Sequence, residues 1–131
     1  LFPDQFDVIH SNKSQNYRLK AMKRFEKEEI RGLITTDVMA RGLDISNVTH
    51  VINFDVPLVH EDYVHRIGRT ARAATSGTAF TLVGEKEQGK FAEIEELLGV
   101  PVLKGVVPEM FGPTPAYAPK QQRGNKFVKK R

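Results

Sequence analysis

The chain has 131 residues, of which 40% are hydrophobic and 27% charged, and this is the composition of one globular domain with a hydrophobic core. The absence of cysteine excludes disulfides and thiolate metal sites, and no apolar stretch is long enough to span a bilayer. We therefore expect a cytoplasmic protein with no membrane partner.

The net charge of +4 is distributed unevenly along the chain. Residues 1–103 carry 13 Lys or Arg against 15 Asp or Glu, whereas residues 104–131 carry seven against Glu109 alone. Four prolines also lie in this last stretch. We predict a folded domain at 1–103 and an extended, flexible, basic tail at 104–131. The four histidines lack metal-ligand spacing, so no metal site is expected in this chain.

Short apolar segments alternate with amphipathic ones in the folded part. The first apolar run, residues 6–9, is typical of a strand, and residues 15–27 are typical of a helix whose apolar positions include Leu19, Met22 and Phe25. Further strands are predicted at 32–35, 48–54 and 77–83, and further helices at 61–69 and 85–98.

The last predicted helix has the clearest pattern. Phe91, Ile94 and Leu98 recur at helical spacing and form a buried stripe, while Gly99 and Pro101 end the helix. Strands separated by helices in this way predict an α/β domain with a parallel sheet that helices cover on both faces.

One eight-residue run, His65-Arg66-Ile67-Gly68-Arg69-Thr70-Ala71-Arg72, sets three arginines at three-residue spacing. Arginine is costly to order and to bury unpaired, so this density indicates an anionic partner. Guanidinium groups bind phosphate oxygens in a bidentate way, which makes nucleotide phosphate the leading candidate. The alternative is a solvated basic helix face.

A second candidate site follows the apolar residues 32–34, which we predict to be a buried parallel strand. Residues 35–45 are expected to form a loop at its carboxyl end, where open α/β sheets bind ligands. Gly42 would allow close backbone approach, and Asp44 would accept hydrogen bonds from sugar hydroxyls. Alternatively, Asp44 is a turn or cap residue, and Thr36 only satisfies a backbone group at the strand end.

Three sequence blocks in this order resemble motifs of one family. They are Q-N-Y-R at residues 15–18, T-D-V-M-A-R-G-L-D at 36–44 and H-R-I-G-R-T-A-R at 65–72. The chain resembles the C-terminal RecA-like domain of DEAD-box RNA helicases over residues 1–98, and looks closest to the bacterial RhlE-like group.

The resemblance implies a RecA-like parallel sheet sandwiched by helices, and a role for each matching residue. Arg69 and Arg72 would be the catalytic arginines that reach the ATP phosphates, and Asp44 would hold the ribose. The residues implied in binding RNA phosphates are Arg18, Thr36 and Gly42. Those implied in coupling the nucleotide and RNA sites are Gln15 and His65. Arg41 would brace the motifs, and Arg66 would either brace them or contact a ligand.

The resemblance also implies parts that this chain does not contain. The family's opening strand and helix are expected before Leu1, and its phosphate-binding loop and D-E-A-D motif are expected on the protein's own N-terminal RecA-like domain, where Mg²⁺ would be held with ATP. The implied function is half of an ATP-dependent RNA helicase, and this chain alone would be inactive. The alternatives are a non-catalytic RNA-binding module and a DNA-directed translocase of the same superfamily.

Overall fold

The computed structural model describes residues 4–41, 45, 48–70 and 77–119. The chain forms two compact units, Leu1–Ser46 and Asn47–Arg131. Three predicted site residues, Gly42, Asp44 and Arg72, lie outside the described residues, and so does the basic end of the tail from residue 120 onward.

The first unit contains a β-α-β segment. Its strands β1 (Phe6–Ile9) and β2 (Gly32–Thr35) pair in parallel, and helix α1 (Gln15–Glu26) connects them. The pairing begins with Phe6 opposite Gly32, where a Cβ on residue 32 would lie 2.8 Å from the Phe6 ring. A side chain at residue 32 would have to displace the edge of the Phe6 ring, which lies across the neighbouring strand.

Helix α1 begins at the predicted residue because its first turn is capped. The hydroxyl of Ser14 accepts a hydrogen bond of 3.2 Å from the backbone N–H of Tyr17, an interaction worth about 1 kcal/mol. The helix packs on both strands and buries Ala21. Leu19, which was predicted to lie on the apolar face, is 52% exposed. The predicted apolar face of this helix is therefore wrong at Leu19.

Two predictions about the segment from residue 32 to 45 are also wrong. Residues 35–45 were expected to form a loop, but Asp37–Arg41 forms a short helix, α2. Five residues are too few to establish a helical period in the sequence. Residues 32–34 were expected to be buried, but Ile34 is 56% exposed.

The second unit contains the remaining strands and the longer helices. Strands β3 (His50–Asn53) and β4 (Thr78–Thr81) pair in parallel, and helix α3 (His60–Ile67) lies between them in sequence. A one-turn 3₁₀ helix, Glu85–Glu87, leads into helix α4 (Gln88–Leu98).

All pairing among the described strands is parallel. This pattern and the structural relatives given below confirm the predicted α/β, RecA-like class. Within the described residues, β1 pairs with β2 in the first unit and β3 pairs with β4 in the second.

The hydrophobic core of the second unit is a cluster of buried residues from α3, α4 and the turn after β3. It comprises Val56, Tyr63, Phe91 and Ile94, and the rings of Tyr63 and Phe91 meet edge to face at 5.8 Å. Leu98 packs against this cluster, so the predicted stripe of α4 is confirmed. The helix ends at Gly99 with a φ of 68°, as its sequence predicted.

Residues 101–118, here called the C-terminal strap, contact α4 at their two ends, while most of the residues between are exposed. Glu95 accepts hydrogen bonds from the Tyr117 hydroxyl at 2.7 Å, from the backbone N–H of Val102 at 2.6 Å and from the Lys104 ammonium. Burial alone would raise the pKa of Glu95, but these three donors lower it below its usual value. Burial and the neighbouring Glu95 carboxylate raise the pKa of Tyr117.

The far end of the strap is fixed by the side-chain amide of Gln88, at the start of α4. The amide donates to the carbonyl of Ala116 at 3.0 Å and accepts from the N–H of Ala118 at 2.8 Å. Among residues 101–119 the only regular element is a one-turn 3₁₀ helix, Glu109–Phe111. The predicted domain boundary after residue 103 stays a prediction, but packing contacts of the second unit extend beyond it.

Candidate functional site

In the first unit, helix α1 carries Gln15 and Arg18. Arg18 is part-buried, and its Nη1 donates to the sulfur of Met39 in α2 at 3.3 Å. Its Nε is buried and has no hydrogen-bond partner among the described residues. The guanidinium is therefore held between α1 and α2 with an unused donor, and such a donor costs about 1–3 kcal/mol when buried.

Thr36 lies between β2 and α2, at the carboxyl end of the strand. Its carbonyl accepts from the N–H groups of Met39 at 3.1 Å and Ala40 at 2.8 Å, so its backbone begins the helix. The residue itself is exposed. The structure thus places Thr36 on the surface of the same unit as Arg18, joined to it through the short helix that contains Met39.

In the second unit, His65 and Arg66 lie in the last turn of α3. The side chain of His65 is 64% exposed, and its Nδ1 lies 3.9 Å from a carboxylate oxygen of Asp62. Arg66 Nη1 donates to the backbone carbonyl of Asp55 at 2.9 Å and to its carboxylate at 3.1 Å. Arg66 therefore ties α3 to the turn after β3, and this contact favours the bracing role over ligand contact.

The backbone that carries Arg69 continues the turn of α3. Gly68 N–H bonds to the carbonyl of Val64 at 2.9 Å, and Arg69 N–H bonds to that of Arg66 at 3.3 Å. Thr70 is buried, and both its N–H and its hydroxyl donate to the carbonyl of Ile67, at 3.0 and 2.8 Å. The position of Arg69 is therefore fixed by the helix end.

Gly68 has a steric reason to interrupt the basic run. Its φ of −62° is ordinary, but a Cβ at this position would lie 3.0 Å from the carbonyl oxygen of Val64. This contact is tighter than a side chain normally accepts, so a larger residue would displace the helix end that leads into Arg69.

Sequence reasoning missed a buried polar connection that joins α3 to the sheet of the second unit. The Asn53 amide donates to the Thr81 hydroxyl at 3.0 Å, and that hydroxyl lies 3.4 Å from the Tyr63 hydroxyl. The Glu87 carboxylate accepts from the backbone N–H of Val56 at 3.2 Å. The one signal in the sequence was Asn53, a polar residue near the end of a predicted apolar strand, because an amide buried in a sheet needs a hydrogen-bond partner.

The described part of the chain holds no group of three or more His, Cys, Asp or Glu side chains arranged to bind a metal ion. In the same part, no helix combines the length and apolar character needed to cross a bilayer.

Comparison with known proteins gives the family. The family model of the helicase conserved C-terminal domain matches residues 4–74 of the sequence. This range includes the three sequence blocks at 15–18, 36–44 and 65–72. The ATP-dependent RNA helicase CshA of Geobacillus kaustophilus is 53% identical over 87 residues, covering 66% of this chain and 19% of the relative. The ATP-dependent RNA helicase DbpA of Bacillus subtilis is 46% identical over 98 residues, covering 75% of this chain and 20% of the relative.

Solved structures give the same result. A DEAD box protein from Methanococcus jannaschii is 38% identical with a TM-score of 0.68, over 76% of this chain and 27% of that one. Helicase domain 2 of the DEAD-box protein Mss116p, solved bound to an RNA duplex, is 36% identical with a TM-score of 0.67, over 76% of this chain and 39% of that one.

This chain spans about a fifth of the length of the curated relatives it matches. The resemblance noted in the sequence is confirmed at the level of the family, and the RhlE-like grouping stays a prediction. The chain belongs to the helicase conserved C-terminal domain family, among its DEAD-box RNA helicase members.

Proposed function

We propose that this domain is the C-terminal half of an ATP-dependent RNA helicase, and that it completes an ATP site whose other half lies on an N-terminal RecA-like domain of the same protein. The observation that carries the proposal is the placement of Arg69 on a helix end fixed by Gly68 and Thr70. The relatives named as ATP-dependent RNA helicases support the same assignment.

Arg69 and Arg72 act on the ATP phosphates in this proposal. Positive charge that is already in position before the reaction, at the place where negative charge develops in the transition state, stabilises that state. It therefore lowers the barrier to phosphoryl transfer. A fixed backbone matters because an arginine that had to be ordered during the reaction would lose part of this gain to entropy. Asp44 contacts the ribose hydroxyls, and Arg66 keeps α3 in place through Asp55.

RNA binding is assigned to the first unit, through Arg18, Thr36 and Gly42. The exposed Thr36 at the end of β2, in the same unit as Arg18, supports phosphate contacts there. Such contacts read the sugar-phosphate backbone and carry little base sequence information, while the 2′-hydroxyl allows preference for RNA over DNA. Gln15 and His65 couple RNA binding to ATP turnover.

The two other candidates make different predictions for one assay. A non-catalytic RNA-binding module, which the excess of basic residues after residue 103 would favour, binds RNA but has no ATPase activity in any longer protein. A DNA-directed translocase has an ATPase activity that DNA stimulates. The proposed helicase has an ATPase activity that RNA stimulates and DNA does not.

The decisive variant is Arg69→Ala in the two-domain protein. Loss of a phosphate-binding arginine is expected to lower RNA-stimulated turnover by about 10³-fold or more, while RNA affinity is largely retained. Arg69→Lys should rescue little, because an ammonium group cannot reproduce the bidentate fork. Steady-state ATPase and RNA anisotropy measurements on the same preparations give the two quantities.

Arg31→Ala is the matched control, because Arg31 is an exposed arginine of the loop before β2 and has no assigned role. It should leave both turnover and RNA affinity unchanged. If Arg69→Ala reduces RNA binding and turnover equally, the arginine contacts RNA rather than ATP, and the assignment is wrong.

A further inference from the structure

Helix α1 has a second charged face that the proposed function does not use. Lys20, Lys23 and Lys27 are exposed and occur at spacings of three and four residues, so they project from α1 within about 60° of one another. Arg18 lies on the other side, about 140–180° away from each of them. We call these three lysines the basic face of α1.

Within the part of the chain that the structure describes, the charges of the basic face are not paired. No carboxylate of the described residues lies within ion-pair distance of any of the three lysines. Arg24, by contrast, is on the same helix and is held by Asp7 at 2.8 Å and by Glu29 at 3.9 Å. Among the described residues, ion pairs therefore neutralise Arg24, whereas the three lysines remain available to solvent or to a partner.

The arrangement is unfavourable for the helix taken alone. Like charges three and four residues apart repel by a few tenths of a kcal/mol per pair. Lys23 and Lys27 gain back a similar amount from the helix dipole, because they lie at its carboxyl end, but Lys20 lies too far from that end to benefit.

The lysines also border a shallow, open groove of about 400 Å³. The half-exposed Leu19 and the ion-paired Arg24 and Glu29 line it as well, so the three lysines are its uncompensated charges. From Lys20 to Lys27 the helix rises about 10 Å, so the three ammonium groups form a short line of positive charge along the groove.

We propose that the basic face of α1 binds the sugar-phosphate backbone of single-stranded RNA, as a second contact on the side of α1 away from Arg18. Lysine acts as a flexible point charge without bidentate geometry, which suits phosphate contacts that are independent of sequence. The proposal rests on RNA being the ligand of this domain, but it needs neither ATP nor Arg69.

The test uses the 131-residue chain and a fluorescent single-stranded RNA of mixed sequence, with affinity measured by anisotropy between about 50 and 200 mM salt. The variant K23Q/K27Q removes two charges from the basic face. For single strands each phosphate contact contributes about 0.7 to the slope of log affinity against log salt, so the slope should fall by about 1.4 and the affinity at 0.1 M salt by about tenfold.

The matched control is K86Q/K90Q, which removes two lysines at the same spacing from the second unit, at the start of α4. It changes the net charge equally and should leave the slope nearly unaltered. Equal losses in the two variants would mean that only net charge matters, and an unchanged slope in K23Q/K27Q would make the basic face a solvated surface; either result overturns the proposal.

A third variant separates this proposal from the proposed function. If Arg18→Ala weakens RNA binding while K23Q/K27Q does not, the RNA assignment of the domain stands and the basic face is excluded. Far-UV circular dichroism of each variant verifies that the chain is folded. The single variant K20Q, far from the helix end, should lower the slope by about 0.7 without a contribution from the helix dipole.

Discussion

The two units hold their candidate site residues in different ways. In the second unit, α3 is tied to a contiguous aromatic and aliphatic core, to the Asn53–Thr81–Tyr63 connection and to Asp55 through Arg66. In the first unit, Arg18 is part-buried and bonds to Met39, whereas Thr36, Lys20 and Lys23 are exposed.

This contrast matches the two proposed ligands. Charge stabilisation in a transition state requires a donor fixed before the reaction, whereas backbone contacts to a flexible strand tolerate mobile side chains. Several bonds that hold the helix leading to Arg69, and exposed polar and cationic groups in the unit that binds RNA, are what these requirements favour. The difference should be measurable as a difference in local stability.

The largest expected effect is in the core of the second unit. Phe91→Ala removes a ring that contacts both Tyr63 and Tyr117, so the free energy of unfolding should fall by about 3–5 kcal/mol. Urea denaturation monitored by circular dichroism measures it. The control is Leu97→Ala, at a half-exposed position of the same helix, which should cost less than about 1 kcal/mol. Similar losses in both variants would mean that the ring is not a core residue.

The sequence predicted the parts of the fold that depend on neighbouring residues. The bounds of β1 and β2 followed from short apolar runs, the start of α1 from its apolar periodicity, and the end of α4 from Gly99. Leu19 was misplaced because periodicity identifies one face of a helix but does not say how much of that face another element covers.

The candidate site residues could be proposed from the sequence, whereas the contacts that hold them could not. Arg69 and Thr36 were proposed because their motifs are local in sequence, and their roles stay predictions. The bond from Tyr117 to Glu95 spans 22 residues and that from Asn53 to Thr81 spans 28, and no local pattern encodes such pairs. The exposure of the basic face of α1 likewise depends on what packs on the helix.

An intermediate effect is expected where the C-terminal strap joins the core. Tyr117→Phe removes the hydroxyl that donates to Glu95 and keeps the ring against Phe91. A hydrogen bond to a charged acceptor contributes about 1.5–3 kcal/mol, so the free energy of unfolding at neutral pH should fall by about that amount.

The dependence of the free energy of unfolding on pH tests the hydrogen bonds to Glu95, and the direction of the change can be predicted. Because the pKa of Glu95 is lower in the folded chain than its ordinary value of 4.5, the stability it contributes is present above pH 4.5 and is lost as pH falls through the folded pKa. Urea titrations at several pH values should show this loss in the wild type and less of it in Glu95→Gln. Glu96→Gln, at an exposed neighbouring position, should keep the full loss. An identical acid profile in Glu95→Gln would mean that the strap is not held by that carboxylate.

The smallest expected effect is a loss of stability in the first unit, and it tests most directly whether the two units unfold independently. Ser14→Ala removes the cap of α1 and should cost about 1 kcal/mol, since the N–H of Tyr17 loses its acceptor. Because Ser14 caps α1 and α4 belongs to the other compact unit, amide hydrogen exchange should speed up about fivefold in α1 and stay unchanged in α4. Ser11→Ala, which alters only an exposed hydroxyl bonded to Asn12, should change neither helix. Faster exchange in both helices of the Ser14 variant would mean that the units unfold together, and the site residues of the two units would then not be held independently.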